Sequence, residues 1–279
     1  MILFGGPVFV SADDPQRWAQ AHLANGYRAA YAPDIKLTDT ARILAFRNAA
    51  QEVGLVFAET GAWCNMVAPD PAKRAANLQR TQDKLALADE LGARCCVNFL
   101  GTLDPNSDYG PHPKNLDEDG FALAVQTVRT VIDAVKPKRA KFTLEMMQWV
   151  LPDSVDSLER LVKAVDRAEF GVHLDPVNLV ISPRIYFNTG AMIREIFTRL
   201  GSKVVAAHAK DLKLRNELAL HFDEVRLGLG NMDYATYLKE LSKLPADTPL
   251  MLEHLPNEAE YHEAARHLRT VAKHEGVAL

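Results

Sequence analysis

EFGVHLDPVN, residues 169–178, decides how this chain is read. A run that is apolar apart from His173 stops on a carboxylate, Asp175, and is broken at once by Pro176. It follows a stretch of helical period, Ser154–Arg167, so the run reads as a short strand buried on both faces of a parallel sheet. Working outward, the same alternation recurs along the chain. The strand-like runs are Ile2–Phe4, Tyr27–Tyr31, Leu55–Glu59, Cys95–Leu100, Lys141–Glu145, Glu169–Asp175, Val204–His208 and Leu250–Glu253. Between them the periodicity predicts helices over Pro15–Ala24, Asp39–Glu52, Pro71–Leu91, Gly120–Val135, Ser154–Arg167, Gly190–Leu200, Tyr234–Lys243 and Glu258–His274. Eight strands and eight helices in strict alternation predict a closed (β/α)8 TIM barrel, one α/β domain over residues 1–279.

Local signals agree with the periodicity. Asp39-Thr40 and Asp153-Ser154 are placed to cap helix N-termini, and Gly26, Gly54, Gly92 and Gly201 follow expected C-termini. Two long stretches rich in Pro, Asn, Asp and Gly, 101–118 and 176–189, read as loops that serve a site. Gly228-Leu229-Gly230 is only a G-x-G and follows no expected strand, so a nucleotide cradle is not its reading.

Composition narrows the function. With 48% hydrophobic and 24% charged residues, 279 residues can bury a large core. The net charge of −4 gives no general attraction to nucleic acid or anionic lipid, so neither is an expected partner. Cys64, Cys95 and Cys96 are odd in number and lack metal-ligand spacing, which reads as reduced thiols. No apolar stretch is long enough for a bilayer, and MILFGGPVFVSADDPQRW has no basic region ahead of its apolar run, so the expected location is cytoplasmic.

Ligands of a barrel sit at the C-terminal ends of its strands. Four expected strands end there in a polar residue: Glu145 in FTLEMM, Asp175 in GVHLDPVN, His208 in VVAAHAKD and Glu253 in PLMLEHL. They lie on consecutive strands and are expected to converge at one mouth. Three acids and one imidazole, without thiolates, suit a hard or borderline divalent cation such as manganese, magnesium, cobalt or zinc. Four such donors leave two octahedral positions for substrate oxygens. Around them, Lys210 shares a face with His208 and is expected over a substrate oxygen, the alternative being a salt bridge to Asp211. His173 shares a face with Asp175 but lies deeper, as a packed barrel residue or a substrate contact. Asn178, Trp63, Trp149, Asn98 and His112 fall in or near βα loops as candidate pocket residues, although tryptophans are more often simply core. His254 has the opposite parity to Glu253 and is expected to face away unless the strand has ended.

The segments LEMM, HLDPVN, AAHAKD, RLGLGNMDY and LMLEHL resemble the sugar-phosphate isomerase/epimerase superfamily of xylose-isomerase-like barrels, over nearly the whole chain. The resemblance implies a divalent metal, commonly manganese, on Glu145, Asp175, His208 and Glu253, with the two glutamates also exchanging substrate protons. His-x-Lys-Asp at 208–211 and Gly-x-Gly-x-x-Asp at 228–233 fit the same pattern. Ketose 3-epimerases of the superfamily usually carry a histidine three residues after the metal-binding aspartate; this chain has Asn178 there. They also carry an arginine soon after the metal-binding histidine, where this chain offers Lys210, Lys213 and Arg215 without a clear match.

The activity so implied is isomerisation or epimerisation of a ketose or keto-sugar through an enediolate. Elimination by the same enolate, as in inosose dehydratases or 3-keto-glycoside lyases, is the alternative. A nucleic-acid phosphodiesterase needs a basic groove that the charge does not suggest, and a non-catalytic sugar-binding barrel has no need of four convergent ligands. The expected partner is a small carbohydrate. Barrels of this kind often pair through surface helices, which leaves a homo-oligomer open with no patch assigned.

Overall fold

The structure is a computed structural model describing residues 1–279. Eight parallel strands close into a barrel: β1 (Leu3–Gly5), β2 (Ala29–Tyr31), β3 (Val56–Gly61), β4 (Cys95–Asn98), β5 (Lys141–Leu144), β6 (Phe170–Leu174), β7 (Val204–Ala209) and β10 (Pro249–Leu252). Their order around the barrel is β1-β10-β7-β6-β5-β4-β3-β2. Strands as short as these are buried on both faces, which is why their runs are near-continuously apolar rather than alternating. The seam closes tightly at Gly5, which pairs with both Ala29 and Met251. A Cβ there would lie 2.1 Å from the Ala29 carbonyl oxygen, so only glycine fits.

The outer ring consists of α1 (Pro15–Ala24), α2 (Thr40–Glu52), α3 (Pro71–Leu91), α4 (Glu118–Val135), α5 (Val155–Val165), α7 (Thr189–Leu200), α8 (Tyr234–Leu241) and α9 (Glu258–Glu275). The capping residues act as expected: Asp39 accepts from the Arg42 amide, and Ser154 forms a capping box with Ser157. Each such cap contributes about 1 kcal/mol. Gly26, Gly54 and Gly92 adopt left-handed backbone at helix ends, whereas Gly201 stays right-handed and leads into a single 3-10 turn. No helix is long and apolar enough to cross a membrane.

Two features differ from the sequence reading. An antiparallel hairpin, β8 (Asp211–Leu214) with β9 (Phe222–Val225), stands on the mouth directly after the His208 strand. Its connection, 215–221, has none of the Asn-Gly or Asp-Gly signatures that betray a hairpin. The loop 176–189 is less irregular than expected, because it contains a 3-10 turn at Pro176–Leu179 and a short helix, α6 (Pro183–Tyr186).

His22 shows how tightly the ring packs on the barrel. It is buried in the last turn of α1, its ring 4.4 Å from Trp18 and its Nδ1 2.9 Å from the Trp18 carbonyl. Burial lowers its pKa to about 4, outweighing the backbone hydrogen bond, so the ring is neutral in the folded state. The unfolded chain has the ordinary value near 6.5 and takes up a proton first as pH falls. Stability from His22 is therefore complete above about pH 6.5 and lost progressively down to about pH 4, some ~3 kcal/mol in all. Urea unfolding across that window is expected to be less pH-dependent in His22→Leu by about this amount; equal slopes would contradict it.

Candidate metal centre

The four strand-end residues meet. Glu145 follows β5, with its backbone N–H donating to the Asn98 carbonyl at 2.8 Å. Asp175 ends β6 and caps the next turn, its Oδ1 accepting from the Val177 amide. His208 lies in β7 opposite Met251 of β10, and Glu253 follows one residue beyond Leu252, the partner of Ala209. Register therefore brings these groups to one level of the mouth. One donor atom from each of Glu145, Asp175, His208 and Glu253 lies within 4.8 Å of all the others. His208 Nδ1 is 2.9 Å from Glu253 Oε2, 3.5 Å from Glu145 Oε1 and 3.9 Å from Asp175 Oδ2.

Lys210 lines the mouth beside His208. It does not pair with Asp211; its Nζ sits on the acids themselves, 2.6 Å from Asp175 Oδ2, 3.1 Å from Glu253 Oε2 and 3.6 Å from Glu145 Oε1. Asp211 is instead wrapped by backbone, accepting from the amides of Leu212, Gly228, Gly230 and Met232. The amides of the G-x-G segment are thus spent on an internal carboxylate, so no phosphate cradle forms there.

The residues present fit a divalent cation. Asp175 Oδ2, His208 Nδ1 and Glu253 Oε2 are buried and, despite their ion-pair contacts, make no properly directed hydrogen bond. With His208 neutral, as a metal ligand must be, three carboxylates against one ammonium leave two negative charges in a nearly water-free space, a costly arrangement without a further cation. The electrostatics record that strain. Burial raises the Asp175 carboxyl to about 6, more than Lys210 can offset. Burial also opposes ionisation of Glu145, but His208 and Lys210 outweigh it and hold Glu145 at about 2. The charge of Glu253, together with Glu59, lifts the His208 imidazole well above its usual range against the pull of burial. Lys210 is likewise held above its ordinary value.

Beneath this cluster lies a buried hydrogen-bonded group that the sequence reading missed. Glu59 Oε1 is 3.1 Å from His208 Nε2 and its Oε2 is 2.8 Å from His173 Nε2. Glu59 also ends its strand run in a carboxylate, LVFAE, so the rule that found the other four applied equally to it. His173 is fully buried against Glu59 and does not line the mouth; it is a packed barrel residue, not a substrate contact.

Above the cluster opens a cavity of about 490 Å³ lined by Glu145, Asn178, Lys210 and Glu253 together with Trp63 and Trp149, so neither tryptophan is core. Asn178 donates to Glu145 Oε1 at 3.2 Å. His112 and Asn98 are corrected: His112 caps the turn at Pro113–Asn115 away from the cavity, and buried Asn98 holds the loop through the Cys64 amide. His254 takes the exception that its parity left open. The strand has ended at Leu252, and a left-handed residue (φ +57°) turns its ring into the cavity, Nδ1 2.9 Å from Glu224 Oε2. Glu224 was invisible to sequence reasoning because it lies on the unread hairpin.

Comparison with known proteins bears on the fold. The family described as xylose isomerase-like TIM barrel matches residues 19–271. D-psicose 3-epimerase from Clostridium cellulolyticum H10, solved with D-tagatose, superposes with a TM-score of 0.70 at 16% identity, covering 100% of both chains. A xylose isomerase-like TIM barrel protein from Mycobacterium smegmatis in complex with magnesium gives 0.66 at 18% identity, covering 93% of this chain and 87% of that one. The probable 3-DHS dehydratase of petrobactin synthesis from Bacillus anthracis gives 0.70 at 14% identity, covering 98% and 99%. At such identities the likeness is one of fold. No curated protein matches the chain by sequence.

Proposed function

This chain belongs to the xylose isomerase-like TIM barrel family, and on that premise we propose that it is a divalent-metal-dependent enzyme that isomerises or epimerises a ketose or keto-sugar through an enediolate. The observation that carries the reading is the convergence of Glu145, Asp175, His208 and Glu253, with three orphaned donor atoms, directly beneath an open cavity. Manganese or magnesium suits this donor set, with cobalt and zinc as further candidates. Bound there, the ion would polarise a ketone and its neighbouring hydroxyl and so acidify the intervening C–H.

The protein's own groups would do the rest. Glu145 and Glu253 are both ionised at neutral pH, the state in which a carboxylate can take a proton. They approach from separated strands, β5 and β10, with β6 and β7 between them. One can therefore remove a proton and the other return it, the requirement for epimerisation. Asn178, fixed on Glu145, offers an amide to a substrate hydroxyl, and Lys210 steadies the acid cluster. Glu59 fixes the His208 ring through Nε2, leaving Nδ1 for the ion; Glu59→Gln keeps the shape but drops the charge and is expected to weaken manganese affinity about 10- to 100-fold by titration calorimetry. Unchanged affinity would remove Glu59 from that role.

A second reading, elimination by the same enolate in a dehydratase or lyase, is favoured by Asn178, which stands where ketose 3-epimerases usually carry a histidine. Incubation with ketoses, inososes and 3-keto-glycosides in heavy water with manganese tests both. Deuterium entering beside the carbonyl is expected, with substrate skeleton retained for isomerisation or a group lost for elimination. A metal-loaded protein that exchanges no panel member would overturn the proposal.

A further inference from the structure

Exposed apolar side chains are gathered at one end of the barrel. Apart from Met1 and Leu44, every large hydrophobic residue left exposed lies on a segment that follows a barrel strand, at the mouth. Such side chains scattered singly are ordinary on a protein surface, but a contiguous set marks a face that another molecule covers. The most exposed of the mouth set, Leu218 and Phe187, belong to one such set. Leu218 and Leu220 stand at the tip of the β8/β9 hairpin. At its base Phe222 packs on Tyr186 with ring centroids 5.6 Å apart, and Tyr186 meets Phe187 at 5.0 Å. The strip then runs into a groove of about 560 Å³ between the start of α5 and the α6–α7 segment, where Leu179, Ile181, Ile185 and Met192 supply apolar lining.

Nothing in its own chain accounts for the hairpin tip. Residues 216–220 make no backbone hydrogen bond, and Leu218 is wholly exposed. A two-stranded hairpin standing alone is marginal in water. Only the base of this one is fastened, by the Gly228 and Gly230 amides on Asp211 and by the Asn231 amide on the Leu212 carbonyl. Covering the tip would therefore stabilise the hairpin as well as remove apolar surface from water.

Projection and groove lie on the same chain and match in charge. Asp153 and Arg184 stand at the groove, and neither takes part in an ion pair. On the hairpin, Lys213 is exposed and likewise unpaired, while Glu217 has only Arg215 at 3.7 Å, a guanidinium already held by Asp223. A knob and a hole on one surface are what a two-fold contact between identical chains requires, because each copy then supplies the knob to the other's hole.

We propose that the face formed by the β8/β9 hairpin and this groove is the interface of a two-fold dimer of the chain. Leu218 and Leu220 of each copy seat in the groove of the other, with Lys213 set against Asp153 and Glu217 against Arg184. The contact bears on the mouth too, because β9 carries Glu224 into the cavity beside His254, so clamping the tip holds that wall. It does not depend on the chemistry assigned to the mouth.

Sedimentation equilibrium of the full chain tests it. Over about 1 to 100 μM, where an interface of standard size is populated, the wild type is expected at twice the chain mass of 30.9 kDa. Leu218→Asp and Ile181→Asp are each expected to raise the dimer dissociation constant at least about tenfold. Leu218 has no packing of its own to lose, so circular dichroism and urea unfolding of that variant should match a wild type diluted to monomer. Lys213→Glu should weaken the dimer, and adding Asp153→Lys to the same chain should restore it, a rescue that misfolding does not produce. A wild type that stays monomeric overturns the proposal and leaves the face to a different protein. A dimer that survives both aspartate variants also overturns it, by placing the interface elsewhere.

Discussion

Glu145→Gln and Glu253→Gln are each expected to lower turnover by about 10²- to 10⁴-fold, the range associated with a positioned acid or base. Glutamine preserves the volume and one carbonyl oxygen at each position, so packing is largely retained; what disappears is the group that accepts a proton. Both carboxylates are held ionised beside His208 and Lys210, and an amide there can neither take a proton at neutral pH nor return one. Each variant also loses one charged donor, so loss of base and loss of metal must be separated. Deuterium exchange measured at saturating manganese does this: a variant that binds the ion yet exchanges slowly has lost its base. Near-normal exchange in either would remove that carboxylate from proton transfer.

Lys210→Met should produce the largest effect on stability. The ammonium contacts Asp175, Glu253 and Glu145 and is nearly inaccessible to water, 4% exposed. Methionine fills much of the same space but leaves three carboxylates facing one another in a low-dielectric cluster. Breaking a buried ion pair from one side typically costs about 3–5 kcal/mol, and that loss is expected in urea unfolding with chelator present. Manganese should restore much of it, because an ion that binds only the folded chain stabilises it by mass action, and the relieved repulsion strengthens binding. A loss of stability that manganese does not reduce would mean that Lys210 and the ion do not share the same carboxylates.

Much of the barrel was legible because its signals are local. Phe170–Leu174 and Pro249–Leu252 are apolar on both faces, and helices such as Pro15–Ala24 and Pro71–Leu91 begin at capped prolines and match their expected bounds. Strand-end polarity brought out Glu145, Asp175, His208 and Glu253, since one geometric rule of barrels places such residues at the mouth. What escaped depends on longer-range relations. The β8/β9 hairpin has polar strands and no tight turn, so Glu224 had no context. Lys210 has the same parity as His208, but only the fold shows that its head reaches Asp175 from a neighbouring strand. His254 faces the cavity because the chain turns left-handed after Leu252, which parity along a strand cannot foresee.

The central claim is that four side chains hold one divalent ion. Elemental analysis after dialysis against manganese, repeated on His208→Ala and Asp175→Asn, tests it without reference to any substrate. The account predicts one ion per chain in the wild type and a loss of most of it in both variants. A wild type that retains no ion, or variants that retain as much as it does, would contradict the account.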